Sequence, residues 1–336
     1  MPDPVPTPIA NARVPAFLSV TNARIDQQRT RRLMIVLRTN GCAYDEQNRG
    51  CSMCDFKRHA IRRQDHVIAG TDLMAQLMTA LLRLDESVGQ VDLLTLGSFL
   101  HEWEVPGQFR VAALREIGGR SHVERLLVES RAPYITEVRL KELRDALGSP
   151  QRLEVGIGVE SSDDRLRNAI LNKHLRWDEL ARVMQLCARM EIGVVTYLLI
   201  KPHTLDEKGA IEDATRSARE VAQLARACGV RHRVAFEPVF ITRGTALERE
   251  FLEGRYQLLN LWSIIEVARE SLVWGPLFFG MSDEGLSDNR KPWSCELCGE
   301  RIMAAIEEFN GSNDLAAFEG LDCPCRVKWA RNVGRG

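Results

Sequence analysis

From Leu33 to Pro238 the chain alternates short β-branched or leucine-rich runs with longer amphipathic stretches, a rhythm that confines it to architectures built from βαβ units. It predicts strands at 33–38, 91–97, 123–129, 153–159, 194–200 and 232–238, and helices at 70–86, 107–117, 134–147, 176–190 and 207–227. Asp72 is expected to cap the first helix, and Gly148-Ser149-Pro150 to stop the third. Six parallel strands at this spacing fit an α/β fold of the partial (β/α)6, TIM-like barrel type, although a doubly wound sheet has the same local pattern. The expected organisation is an irregular N-terminal arm over 1–30, a barrel over 31–240 and a C-terminal extension over 241–336. In that extension 245–253, 260–272 and 299–309 read as helices, and 276–294 as a loop rich in Gly, Pro and Asp.

The nine cysteines carry the chemistry. Cys42, Cys51 and Cys54 directly follow the first predicted strand; Cys295, Cys298, Cys323 and Cys325 fall in the tail; Cys187 and Cys228 sit alone in helical patterns and read as core residues. A secreted disulfide scaffold is shorter and denser in cysteine, so this grouping reads as two metal sites. Three thiolates leave one iron of a [4Fe–4S] cluster without a protein ligand, and the loop lies where α/β folds place their chemistry. Zinc with His59 or His66 as fourth ligand is the competing reading. In the tail, Cys295-x2-Cys298 and Cys323-Pro324-Cys325 offer four thiolates that suit tetrahedral zinc, with an auxiliary iron–sulfur cluster as the alternative. A tail of roughly 45 residues buries too little to hold itself together, so a metal staple with Trp329 packed on the barrel is expected.

The loop Thr39-Asn40-Gly41-Cys42, then eight residues, then Cys51-Ser-Met-Cys54-Asp-Phe56 resembles that of the radical S-adenosylmethionine (SAM) superfamily, in the branch with widened spacing. The resemblance continues through Gly97-Ser98-Phe99, Glu129-Ser130-Arg131, Gly156-Ile-Gly158-Val-Glu160-Ser161 and Asn172-Lys173, with Glu129-Ser130-Arg131 and Asn172-Lys173 as in Elp-three-like tRNA-modifying enzymes. His174 departs from the glycine usual there. The resemblance implies a [4Fe–4S] cluster on Cys42, Cys51 and Cys54, SAM on its open iron, and reductive cleavage of SAM to a 5′-deoxyadenosyl radical. Phe56, Gly97, Ser98, Glu129, Arg131, Glu160 and Asn172 would then meet SAM, and Arg131, Tyr197 and Lys201 are candidates for the substrate side, with His101 and Glu102 nearby.

Over 33–329 the pattern is most similar to the radical SAM proteins of archaeosine synthesis, through Leu261-Trp262-Ser263, Gly275-Pro-Leu-Phe-Phe-Gly280, Arg290-Lys-Pro-Trp293 and the tail cysteines. Tyr256-Gln-Leu-Leu-Asn260 lacks the proline-rich approach of that family. This resemblance implies a carbon–nitrogen lyase acting on a lysine adduct of 7-cyano-7-deazaguanine in tRNA, a transferase subunit as partner, and flavodoxin or ferredoxin as electron donor.

Net charge is -1, so any polyanion must be met by a local patch. Arg24, Arg29, Arg31 and Arg32 form one candidate patch and Lys57, Arg58, His59, Arg62 and Arg63 another, both expected beside the active mouth. No run approaches the ~18 apolar residues of a spanning helix. The N-terminus lacks the pattern of a secretory signal, so the expected location is cytoplasmic. A radical SAM enzyme acting on a small nucleoside or amino-acid-derived metabolite, and a non-catalytic zinc or RNA-binding protein, remain open beside the tRNA lyase.

Overall fold

The sheet begins earlier than the hydrophobic rhythm suggests. Residues expected in an irregular arm form β1 (Phe17–Ile25), which folds back antiparallel onto β2 (Gln28–Leu37) through Asp26-Gln27. The computed structural model describes residues 12–61, 68–148, 150–282 and 290–335. From β2 onward every pairing is parallel: β3 (Val88–Thr95), β4 (Arg125–Glu129), β5 (Arg152–Glu160), β6 (Gly193–Ile200), β7 (His232–Pro238) and β8 (Leu277–Phe279). The spatial order β1 through β8 makes one curled, partial barrel of eight strands, two more than expected. The added β8 lies in a segment expected as loop and pairs with Val234, Ala235 and Phe236.

The helices are α1 (Ala43–Asn48), α2 (Gly70–Leu81), α3 (Gly107–Gly118), α4 (Glu137–Leu147), α5 (Trp177–Arg189), α6 (Glu207–Cys228), α7 (Ala246–Leu252), α8 (Leu261–Ser271), α9 (Gly299–Ser312) and α10 (Pro324–Asn332). Asp72 does not cap α2: the helix starts at Gly70 with Ala69 before it, which puts Asp72 inside the first turn. The same helix stops five residues early, where Asp85 accepts from the backbone N–H of Ser87 (2.9 Å) and offers the chain a competing local turn. Thr136, Asp206, Thr245 and Asn260 cap α4, α6, α7 and α8 through side-chain oxygens.

Alternation along each strand sorts the two faces of the sheet. Leu33, Ile35, Leu93, Leu126, Val128, Val155 and Phe236 point outward into one core shared with the helices. The inner face is layered. Arg32, Asp92, Arg125, Glu154 and Arg233 form ion pairs at the floor, where the strands start. Leu127, Val195, Ala235 and Phe278 make a small apolar layer above them.

The edges β1 and β8 do not pair with each other, and α9 lies across the gap. The Asn310 side chain accepts from Phe279 N–H and donates to Phe279 C=O, both at 2.9 Å. Asn313 makes the same pair with Leu277 at 2.8 Å. Two amides one helical turn apart thus stand in for the strand that β8 lacks. On the other side Glu307 accepts from Asn22 N–H (2.6 Å) and Glu308 pairs with Arg29. Replacing buried Asn310 by Ala would leave both polar groups of Phe279 unpaired; it is expected to lower stability by about 2–4 kcal/mol in urea denaturation.

Candidate active site and C-terminal metal centre

The cysteine loop leaves the carboxyl end of β2. Cys42 stands immediately before α1, whose six residues take up most of the wide spacing to Cys51. Arg49 and Gly50 then both adopt left-handed conformations (φ 63° and 64°) and turn the chain between α1 and Cys51. Cys54 N–H donates to Cys51 C=O at 3.1 Å, closing a tight turn. Burial pushes the Cys42 thiol up to about 11 and Cys54 further still, with Cys51 adding to the effect on Cys54. These thiols therefore carry their protons unless a cation displaces them. Cys54 lies within the field of both Cys51 and Cys42, and three thiols on one loop are the ligand type of an iron–sulfur cluster. Among the described residues Cys42, Cys51 and Cys54, with or without His59, do not bring their ligand atoms within 4.8 Å of one another, and His66 lies outside the described residues.

The loop is held by two clamps. The first is Glu104, fully buried, whose carboxylate accepts from Ala43 N–H (2.9 Å) and from Ser98 N–H. Burial raises its carboxyl to about 7. Gly97 is a glycine because a Cβ there would stand 2.9 Å from Cys42 Cα. In the second clamp, the Asn172 amide donates to Gly50 C=O (2.7 Å) and Asn48 C=O (3.2 Å), and Tyr44 donates to Asn172 C=O (2.6 Å). Arg131 covers the Tyr44 ring at 3.5 Å and donates to Lys173 C=O at 2.6 Å. Lys173 is paired with Glu160 at 2.5 Å. Asn172, Arg131 and the Gly97-Ser98 segment, expected to meet SAM, are thus built into the support of the cysteine loop.

The remaining candidates are more scattered. Glu129 accepts from Thr95 N–H (3.3 Å) at the end of β4. Phe56 packs on Met34, Val36, Leu94 and Leu96. Tyr197 lies lower in the barrel, against the apolar layer, where a Cβ on Gly156 would meet its ring at 2.6 Å. Burial, followed by Glu129, holds its phenol well above the usual range. Lys201 pairs with Glu207 at 2.7 Å. His101 packs edge-on against Tyr134, and Glu102 is an exposed partner of Arg110.

The first arginine patch belongs elsewhere. Arg24, Arg29, Arg31 and Arg32 sit where β1 ends and β2 begins, at the floor of the barrel rather than its mouth, and Arg29, Arg31 and Arg32 are paired with Glu308, Asp85 and Asp92. In the second patch Lys57 and Arg58 pair with Asp45 and Asp55, while Arg62 and Arg63 lie outside the described residues.

In the tail, Cys295, Cys298, Cys323 and Cys325 bring their sulfurs within 4.8 Å of one another, with contacts of 3.4, 3.5 and 3.6 Å. This knuckle is fixed to the barrel by tryptophans. Trp262 Nε1–H donates to Cys325 Sγ (3.4 Å), and Gly299 leaves room for the Trp293 ring. Trp329 Nε1–H donates to Ser263 Oγ (2.8 Å), whose hydroxyl donates to Glu207 (2.6 Å), the partner of Lys201. A continuous polar chain therefore runs from the knuckle to the mouth. Cys187 is buried in the core and Cys228 half-buried in α6, as expected.

Residues 36–214 match the family model of the radical SAM superfamily, and the chain belongs to that superfamily. It is 28% identical over 304 residues to archaeosine synthase subunit beta of Methanosarcina acetivorans, covering 90% of this chain and 85% of that one. The subunit of the same name from Thermococcus kodakarensis is 27% identical over 312 residues, covering 90% and 92%. The fold is similar to that of an N-terminally truncated Elp3 from Methanocaldococcus infernus, with TM-score 0.51 and 16% identity over 70% of this chain and 59% of that one. Among the described residues no helix is long and apolar enough to cross a membrane.

Glu104 was not singled out from the sequence, where nothing distinguishes it from Glu102 two positions earlier. Glu104→Gln keeps one acceptor but turns an amide NH2 toward the other backbone N–H. It is expected to weaken cluster retention by about 10-fold, measured as iron and sulfide remaining after a chelator challenge, while Glu102→Gln behaves as the parent.

Proposed function

We propose that this chain is a radical SAM lyase of archaeosine-type tRNA modification, cleaving a carbon–nitrogen bond of a lysine adduct of 7-cyano-7-deazaguanine after a transferase subunit has installed the lysine. The observation that carries this reading is the match to two archaeosine synthase beta subunits over 90% of the chain, which necessarily reaches beyond the barrel into the knuckle-bearing extension. A [4Fe–4S] cluster on Cys42, Cys51 and Cys54, when bound, supplies the electron for reductive cleavage of SAM, drawn from a flavodoxin or ferredoxin.

The chain's own residues orient and enclose. Glu104 and Asn172 fix the cysteine loop from opposite sides, so the thiolates are presented without reorganisation. Glu129 and Glu160 offer carboxylates at strand ends to an ammonium or to ribose hydroxyls, and Phe56 an aromatic face to adenine. Arg131, Tyr197 and Lys201 are assigned to the substrate side, with Lys201 held in place through Glu207. The apolar layer of Leu127, Val195, Ala235 and Phe278 closes the barrel below and keeps water from entering from the floor.

We assign zinc to the knuckle. Zn–S bonds of about 2.3 Å at tetrahedral angles separate sulfurs by about 3.8 Å, close to the 3.4–3.6 Å contacts here. A cubane spreads its thiolates over different irons and holds them wider apart. Four protein ligands leave no open position, so this metal is structural.

Anaerobic reconstitution is expected to yield about four irons and one zinc per chain, with 5′-deoxyadenosine formed from SAM and dithionite and lost in Cys54→Ala. Lysine-bearing tRNA, supplied to the parent enzyme, is expected to lose its lysine moiety, whereas unmodified tRNA is unchanged. SAM cleavage without reaction of that tRNA would redirect the search to small metabolites; zinc alone, without SAM cleavage, would leave a zinc-stabilised binding protein. Cys298→Ala is expected to lose the zinc and to lower the melting temperature of the chain.

A further inference from the structure

The floor of the barrel, at the end opposite the cysteine loop, holds a cavity of about 460 Å³, a size common for small-molecule sites. Its walls are dominated by guanidinium groups. Arg32, Arg125 and Arg233 reach in from strand positions, with side chains only 11%, 8% and 13% exposed. Arg24, Arg152 and Arg231 stand at the rim. The cavity adjoins a second one that shares Arg152 and Arg231 and adds Arg144 and Arg189.

The carboxylates do not balance them. Asp92 is paired with Arg32 (3.1 Å), Glu154 is shared between Arg125 and Arg233 (3.4 and 2.7 Å), and Asp26 is paired with Arg152 (2.7 Å). Glu124 acts on Arg152 from farther out. In the buried layer three guanidiniums therefore face two carboxylates, and at the rim Arg24 and Arg231 donate to neutral oxygens, of Ser312, Asp26 and Gln27 and of Glu191. The Nε–H of Arg32 is buried with no hydrogen-bond partner among the described residues. An uncompensated cation in such surroundings is destabilising, and an anion inside the cavity would relieve it. His232 on the same wall is held down to about 4 by burial and by Arg233, so it adds no charge of its own at neutral pH. Beside it, where β8 pairs with β7, Leu272, Pro276, Leu277 and Phe278 form an apolar stretch of the wall, with the Arg32 guanidinium 4.0 Å above the Phe278 ring.

We infer that the barrel floor is a binding site for a phosphate group, either as the free anion or carried on a nucleoside whose base lies against the apolar wall. The site is separate from the cysteine mouth and does not depend on the function proposed for it. Phosphate suits it because planar guanidinium forks bind its oxygens bidentately, and several can do so at once.

The test is calorimetric titration of the reconstituted full-length protein with inorganic phosphate and with adenosine 5′-monophosphate, at fixed ionic strength against chloride. Saturable binding of one phosphate per chain is expected, weakened about 10-fold in Arg231→Ala and unaltered in Lys141→Ala, whose exposed side chain on α4 pairs with Asp145. Arg233→Met removes a partner of Glu154 and is liable to misfold, so exposed Arg231 carries the test. Tighter binding of the nucleotide than of phosphate would assign the apolar wall to a base; equal binding would assign the free anion. Heats no larger than those of chloride, or an affinity unchanged in Arg231→Ala, would overturn the inference.

Discussion

Four thiols gathered near the C-terminus sit at the starts of the two helices that pack the C-terminal extension onto the barrel. Cys298 is the residue before α9, and α9 is what covers the open side of the sheet, with Asn310 and Asn313 on β8 and Glu307 and Glu308 on β1. Cys323 precedes α10 and Cys325 lies in its first turn, and Trp329 of that helix reaches Ser263 and through it Glu207 and Lys201. One small knuckle is therefore continuous with both the helix that closes the barrel and the hydrogen-bond chain to a lysine at its mouth. A tail of this size has little apolar area to stabilise it, and ligand bonds to a metal contribute folding free energy directly.

At the first cysteine loop the protein uses backbone rather than bulk. The loop between Cys42 and Cys51 has few apolar residues, with Ala43 and Tyr44 its only buried ones besides Gly50, so packing cannot position it. Its N–H and C=O groups are instead paired with side chains from elsewhere in the chain: Glu104 takes the start of α1, and Asn172 takes the carbonyls at its end. Glu104 lies close to no cation except through the weaker field of Arg131, which is why burial dominates its proton affinity. A buried carboxylate in that position is destabilising unless both oxygens are occupied, and here both are.

What could be read from the sequence follows from how each element is buried. Strands β2 to β7 were legible because their outward residues meet helices and are apolar at every second position. β1 was not, because only Ala23 and Ile25 of its nine residues are buried and its turn, Asp26-Gln27, contains no glycine. β8 has three residues, too few to show a period, and its edge is completed by side-chain amides that no pattern announces. The cysteines were legible because thiolate chemistry is specific to spacing and survives ignorance of the fold. The arginines were misplaced for the converse reason: Arg24 to Arg32 are near Cys42 in sequence, but a strand's length separates the two ends of β2.

The same alternation that identifies the strands also explains why the interior can hold opposite chemistries. Inward positions on β4 run Arg125, Leu127, Glu129; on β7 they run Arg233, Ala235, Glu237. These two strands thus carry a cation at the floor, an apolar residue in the middle and a carboxylate toward the mouth. The middle layer is thin, yet it removes water between the two charged layers, and Coulomb interactions across a dry layer are screened less than through solvent. A fold that needed only a packed core would fill all three layers with branched aliphatics, as barrels of this general type do. Keeping charge at both ends requires a partner at each, supplied within the chain at the mouth by Lys173 for Glu160 and only in part at the floor.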